Sequence, residues 1–189
     1  MSRESKWRIQ VKYAKSSMAK LEVKPWGVLV TLPEGIRGDE VAKIIERHRA
    51  WIERKHSELL EAIERSKNIE LVERSKAEFK RLLKNMVEQA AREILGVNPC
   101  RIVVRRMKTR WASCSPRGTI VVNSLAAHLP EHLTSYIIYH EICHLIEPRH
   151  NQVFLECIRR RYLNHEELEK QLLAYEIKLG LHQGILRRC

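Results

Sequence analysis

A chain of 189 residues can bury one proper core but hardly two, so one compact unit with an N-terminal extension is expected. No stretch approaches the length of a membrane span, and the opening Met-Ser-Arg-Glu-Ser-Lys-Trp lacks the apolar core of a secretory signal, so a cytoplasmic protein without a membrane partner is expected. A formal charge of +12 and a pI near 9.7 favour polyanions, whether nucleic acid, acidic protein or an anionic surface, without choosing among them. The five cysteines, Cys100, Cys114, Cys143, Cys157 and Cys189, are odd in number and form no C-x-x-C pair. That pattern argues for free thiols in a reducing compartment and against a cysteine-based zinc site.

Trp7–Tyr13 alternates apolar and polar residues as a half-buried strand does, and Lys20–Lys24 repeats the pattern. Pro25-Trp26-Gly27 signals a turn, and Val28–Leu32 is a further short strand closed by Pro33 and Gly35. The simplest product is an antiparallel β-meander. A helix is predicted from an N-cap at Asp39, with Val41, Ile44, Ile45, Trp51, Ile52, Leu59, Leu60 and Ile63 along one stripe. Arg65–Ser75 reads as a connection. From Ser75 a second long helix carries Phe79, Leu82, Leu83, Met86, Ala90, Ile94 and Leu95, with Gly96 and Pro99 as its stop signals.

Cys100–Arg106 and Thr119–Asn123 are predicted strands, paired as a hairpin across the long Ser/Pro/Gly loop Thr109–Gly118. Pro130 suits the first turn of the next helix. Leu133, Ile137, Ile138, Ile142 and Leu145 make that helix apolar on nearly every side except one face, which marks it as buried. Pro148 forces a turn at Glu147-Pro148-Arg149, after which His150 stands near the start of a helix running to about Leu163. A last amphipathic helix spans His165–Leu179 and ends at Gly180. The fold class is therefore α+β, organised as a strand-and-helix region over 1–74, a main region over 75–180 and a tail over 181–189.

The polar face of the buried helix holds the chemistry. His140, Glu141 and His144 form an H-E-x-x-H motif, whose histidines lie about 6 Å apart along a helix axis on one face. Both can meet one tetrahedral Zn2+, and Glu141 can reach a water on it, taking a proton as hydroxide attacks a polarised carbonyl and passing it to the leaving amine. The alternative, a hydrogen-bonded His–Glu pair in the core, would leave polar groups in an apolar setting that a metal with its water satisfies directly. A third ligand is needed. His150 follows His144 by six residues, the interval of the longer H-E-x-x-H-x-x-G-x-x-H pattern, and is favoured over Glu147, Glu156 and His165. Cys143 and Cys157 read as small buried hydrophobes.

Weaker candidates surround this set. Thr119–Asn123 could be an edge strand on which an extended peptide is laid, or an ordinary structural strand. Arg110 could stabilise an oxyanion and Trp111 line a cleft, although such residues are more often surface and core; Tyr162 is a further donor candidate. Six basic residues and no acid between Arg101 and Arg117, with Arg159–Arg161, could form a nucleic-acid surface or a solvated face.

With these residues read, the chain resembles the YgjP-like metallopeptidases, minimal zincin-like proteins related to the SprT and WLM groups. The resemblance rests on the N-terminal strands, Ala50-Trp51-Ile52, the Arg110–Ser115 loop R-W-A-S-C-S against the family's R-W-G-S-C-S, and His140–His144 with His150 and Phe154. It implies a minimal zincin-like domain of helix, β-hairpin, H-E-x-x-H helix and C-terminal helices, with zinc ligands His140, His144 and His150 and a catalytic Glu141. It also implies a peptide or protein substrate and a cleft bordered by the loop and the strand after it. Ala112, Cys143 and Arg160-Arg161-Tyr162 depart from the family's usual residues. Alternatives are a basic nucleic-acid-binding protein with a structural zinc, and a DNA-associated protease of the SprT or WLM type.

Overall fold

The computed structural model describes residues 7–36, 40–94, 96, 101–181 and 186–188. Asp39, Leu95, Pro99, Cys100 and Cys189, which figure in the sequence reading, lie outside them. The chain divides into two compact units, Met1–Lys67 with His182–Cys189, and Asn68–Leu181.

The first unit is a four-stranded sheet with two helices. Strands β1 (Arg8–Ala14), β2 (Lys20–Lys24) and β3 (Gly27–Pro33) are joined by β7 (Leu186–Arg188) in the order β1-β3-β2-β7. This is not the expected antiparallel meander, because β1 pairs with β3 in parallel while β2 pairs with it antiparallel. The reason is the composition of β3. Val28, Leu29, Val30 and Leu32 are all buried, so β3 needs neighbours on both edges, whereas β1 is exposed along most of its length and suits an edge. Gly27 allows the close approach: its φ is +144°, and a side chain there would collide with the Arg8 carbonyl. Leu186–Arg188, placed in a tail by the sequence reading, pairs antiparallel with β2. The predicted first helix is two, α1 (Glu40–Arg47) and α2 (Arg49–Lys67), divided at His48, and α2 packs on β2 with Ile52, Leu59 and Ala62 buried.

The second unit carries the H-E-x-x-H motif. Its entry is tied down: Val72 N–H donates to the His128 carbonyl at 3.0 Å, and Arg74 donates to the Ala127 and Leu129 carbonyls at 2.9 and 2.5 Å. Helix α3 (Lys76–Glu93) opens with a reciprocal capping box, Ser75 Oγ accepting from Glu78 N–H while Glu78 accepts from Ser75 N–H. Its buried face, Phe79, Leu83, Met86, Val87 and Ala90, joins the core around α4 (Glu131–Cys143). Helices α5 (Gln152–Arg159) and α6 (His165–Lys178) complete the helical layer, α5 being shorter than predicted.

The second sheet corrects the expected hairpin. β4 (Arg101–Arg105), β5 (Ala112–Cys114) and β6 (Thr119–Asn123) lie in the order β4-β6-β5, with β4 parallel and β5 antiparallel to β6. Ile120, Val122 and Asn123 are fully buried, so β6 takes the centre, and the tight turn through Gly118 at φ +76° pairs it with a short strand hidden in the predicted loop. Asn123 explains how that loop is shaped. Its amide donates to the Met107 and Arg110 carbonyls at 2.9 and 2.8 Å and accepts from the Met107 and Leu125 N–H groups at 3.3 and 3.2 Å.

Replacing Asn123 by Ala strands several buried backbone groups at once. We expect Asn123→Ala to destabilise the fold by about 3 kcal/mol in urea unfolding, well beyond an ordinary lost hydrogen bond.

Candidate metal centre

Helix α4 ends where the chemistry begins. His140 lies in its last turn and His144 caps it, after which Leu145, Ile146 and Glu147 close tight turns onto the carbonyls of Ile142 and Cys143. Pro148 prevents continuation. Glu147 then accepts from Arg149 N–H at 2.9 Å, and Asn151 caps α5 through Phe154 N–H at 3.2 Å, so the chain reverses and carries His150 back toward the end of α4.

The result is a cluster in which His140, His144 and His150 place ligand nitrogens within 4.8 Å of one another. The Nε2 atoms of His140 and His150 are 3.1 Å apart. Two nitrogens on one tetrahedral zinc stand about 3.3 Å apart, so the spacing suits a shared ion. The Nδ1–H of His144 donates to the Glu147 carbonyl at 3.1 Å, which leaves Nε2 as the ring's ligand atom. Burial, reinforced by the neighbouring rings of His144 and His150, brings His140 down to about 3 and so keeps it an unprotonated donor. Phe154 is the common floor, its ring 4.8, 4.5 and 4.7 Å from those of His140, His144 and His150. The donor set present therefore fits a zinc ion.

Glu141 faces the same cleft, which has a volume of about 690 Å³. Burial pushes its carboxyl up to about 7, against the opposing pull of the Cys114 backbone N–H and the charge of Arg110. The Cys114 thiol, raised to about 11 by burial and then by Glu141, is no ready nucleophile. Strand β5 forms one wall. Asn123 N–H bonds the Trp111 carbonyl at 2.7 Å and Ser115 N–H the Thr119 carbonyl at 3.0 Å, so residues 111, 113 and 115 face β6, and Ala112 and Cys114 turn their backbone groups outward. The edge strand of the cleft is thus β5, and not Thr119–Asn123, whose central place in the sheet leaves it no free edge.

The other candidates separate. Arg110 and Trp111 line the cleft, Arg110 exposed and Trp111 buried. Glu147 is engaged by Arg149, Glu156 accepts from Gln152, and His165 is buried at the start of α6; among the described residues none joins the three histidines. Tyr162 bonds Ser135 at 2.9 Å and is not part of the cleft wall. Arg161 is spent on Glu93 at 2.8 Å and on the faces of Tyr139 and Tyr162. Cys143 and Cys157 are buried free thiols beside one another. Sequence reasoning missed the shared role of Phe154, the Cys114–Glu141 contact, and Tyr136 and Glu169, which also line the cleft. Tyr136, four residues before His140, carried a helical-spacing signal; Glu169 carried none.

A helix-borne pair of histidines, a third from the following reversal and a carboxylate over one cleft are the parts of a metal-dependent peptidase. Residues 64–175, more than half of the chain, match the YgjP-like metallopeptidase domain, so the chain belongs to that family and is a peptidase. The resemblance read from the sequence is borne out at that level. Among solved structures, the chain is similar to the metallopeptidase zymogen of Pyrococcus abyssi abylysin, at 23% identity over 52% of this chain and 95% of that one, with a TM-score of 0.47. It is also similar to the zymogen of Methanocaldococcus jannaschii jannalysin, at 25% identity over 53% and 97% of the two chains, with a TM-score of 0.44. No curated protein matches the chain.

Behind the cleft wall, the Trp111 indole N–H is sealed from solvent without a well-formed hydrogen bond, and Glu176 of α6 lies nearby. Burial pushes the Glu176 carboxyl up to about 7, only partly opposed by Trp111. A carboxyl raised in the folded state contributes fully below its ordinary value of 4.5 and loses that contribution as pH rises through about 7. Relative to Glu176→Gln, the native protein should therefore lose on the order of 2 kcal/mol of stability between about pH 5 and pH 8, read from paired urea titrations.

Proposed function

We propose that the chain is a zinc-dependent peptidase in which His140, His144 and His150 hold the ion and Glu141 is the general base. The observation that carries this reading is the convergence of three imidazoles and one carboxylate on a cleft walled by a free strand edge. Bound there, zinc would supply Lewis-acid polarisation of the scissile carbonyl and lower the pKa of a water. Glu141 takes the proton of the attacking water and returns it to the leaving amine nitrogen. The Cys114 N–H holds the carboxylate in place for both transfers. An extended peptide can lie along β5, exchanging hydrogen bonds with the outward backbone groups of Ala112, which places its amide against Glu141 while leaving side-chain choice to the opposite wall.

A structural zinc, as a nucleic-acid-binding module would carry, is closed by a fourth protein ligand. Among the described residues no fourth histidine, cysteine or carboxylate joins the three, which favours an open, catalytic position.

Elemental analysis should find one zinc per chain. Glu141→Gln should keep that zinc while lowering casein hydrolysis at least about a hundredfold; loss of metal would make Glu141 a ligand and overturn its role. In a separate measurement, His150→Ala should lower zinc occupancy markedly, and full occupancy would move the third ligand elsewhere.

A further inference from the structure

Two carboxylates line the cleft, and catalysis as proposed uses only Glu141. The other, Glu169, stands on α6, and Leu172, three residues further along the same helix, also lines the cleft. Glu169 is exposed to solvent, and its Oε1 accepts from the Tyr136 hydroxyl at 3.0 Å. That phenol is itself 2% exposed and packed edge-on against Tyr162, so the carboxylate is anchored at one oxygen by a fixed donor. Its second oxygen has no hydrogen bond, and the carboxylate no ion pair, among the described residues. Glu169 and His150 line the same cleft, so a peptide held at the histidines passes within the space that Glu169 faces.

We propose that Glu169 is a specificity-determining residue that reads a cationic group of the peptide substrate, the stem of a lysine or arginine lying on Leu172 and its charged head meeting the free carboxylate oxygen. An anchored acid with one open oxygen, in a cleft that Leu172 also lines, matches a side chain that is apolar along its length and charged at its tip. A neutral side chain of the same length would gain the contact with Leu172 but leave the carboxylate to water. An acidic one would be repelled. The chain's +12 charge makes this local selection distinct from its long-range field, which favours anionic partners.

The proposal rests on the peptidase reading for its substrate class, and binding separates the two. The probe is full-length, zinc-loaded Glu141→Gln protein with fluorescent peptides in which one position at a time is Lys, Arg, norleucine or Glu, each with an acetylated or a free amino terminus. Anisotropy should show Lys and Arg binding about five- to tenfold more tightly than norleucine at one position, an advantage that shrinks as salt is raised. Adding Glu169→Gln should bring Lys and norleucine to parity, and Glu169→Arg should favour Glu. If the gain follows the free α-amine and is lost in Glu169→Gln, the cation read is the substrate's amino terminus. Equal affinities at every position, no peptide binding at all, or a preference unchanged by Glu169→Gln would overturn the proposal. Hydrolysis by the native protein is read separately: a lysine preference in binding without any cleavage would sink the peptidase mechanism and leave the subsite standing.

Discussion

Packing His140, His144 and His150 around the ring of Phe154 holds three imidazoles within reach of one point, and the site depends on that crowding. An isolated buried imidazole would ordinarily hydrogen-bond into the core. Here the rings have one another for neighbours, with the Nε2 atoms of His140 and His150 3.1 Å apart, close enough for both to ligate one ion. A shared metal ion, as proposed, would give all three nitrogens a common partner. The helix end is equally committed. Closing turns onto Cys143 and Ile142, a proline that cannot extend them and an Asn151 cap restarting α5 leave the chain one direction in which to take His150.

The sheet performs the complementary task of bringing backbone to the carboxylate. β6 is buried on its inward residues and takes the centre, which leaves β5 at the edge with the backbone groups of Ala112 and Cys114 turned outward and the Cys114 N–H on Glu141. Asn123 then fixes the loop on which Arg110 and Trp111 stand, through four bonds from one side chain. A peptide meeting this wall meets a strand whose position is set by a buried amide rather than by the substrate. Such preorganisation suits a base that must find its water without rearrangement.

What could be read from the residues alone divides along physical lines. Helix α4 and its one polar face were legible because a buried helix that carries two histidines and a glutamate at i, i+1 and i+4 breaks its own apolar pattern. His150 was legible because Pro148 forces a reversal within reach of it. Strand pairing was not. Alternation marks Trp7–Tyr13 as a strand and the run Thr119–Asn123 reads as another, but neither signal names a partner, and both sheets contain a parallel pair where local economy suggests hairpins. β5 is three residues long and sits among serines and a proline, so composition hid it. Glu169 was invisible for a different reason: it is an acid on a solvated helix face until tertiary structure brings α6 to the cleft.

That last placement bears on how a strongly basic protein can choose substrates. At physiological ionic strength charges are screened over about 8 Å, so the excess of lysine and arginine acts on approach, while a bound side chain feels the groups immediately around it. The charged side chains lining the cleft are Glu141, Glu169 and Arg110, the last of which draws Glu141 toward ionisation. Glu169 thus sets an acid from α6 in the cleft of a globally basic molecule. A basic surface that favours polyanions and the proposed cleft preference for a cationic residue would impose different conditions, and a substrate satisfying both is a smaller set than either selects alone.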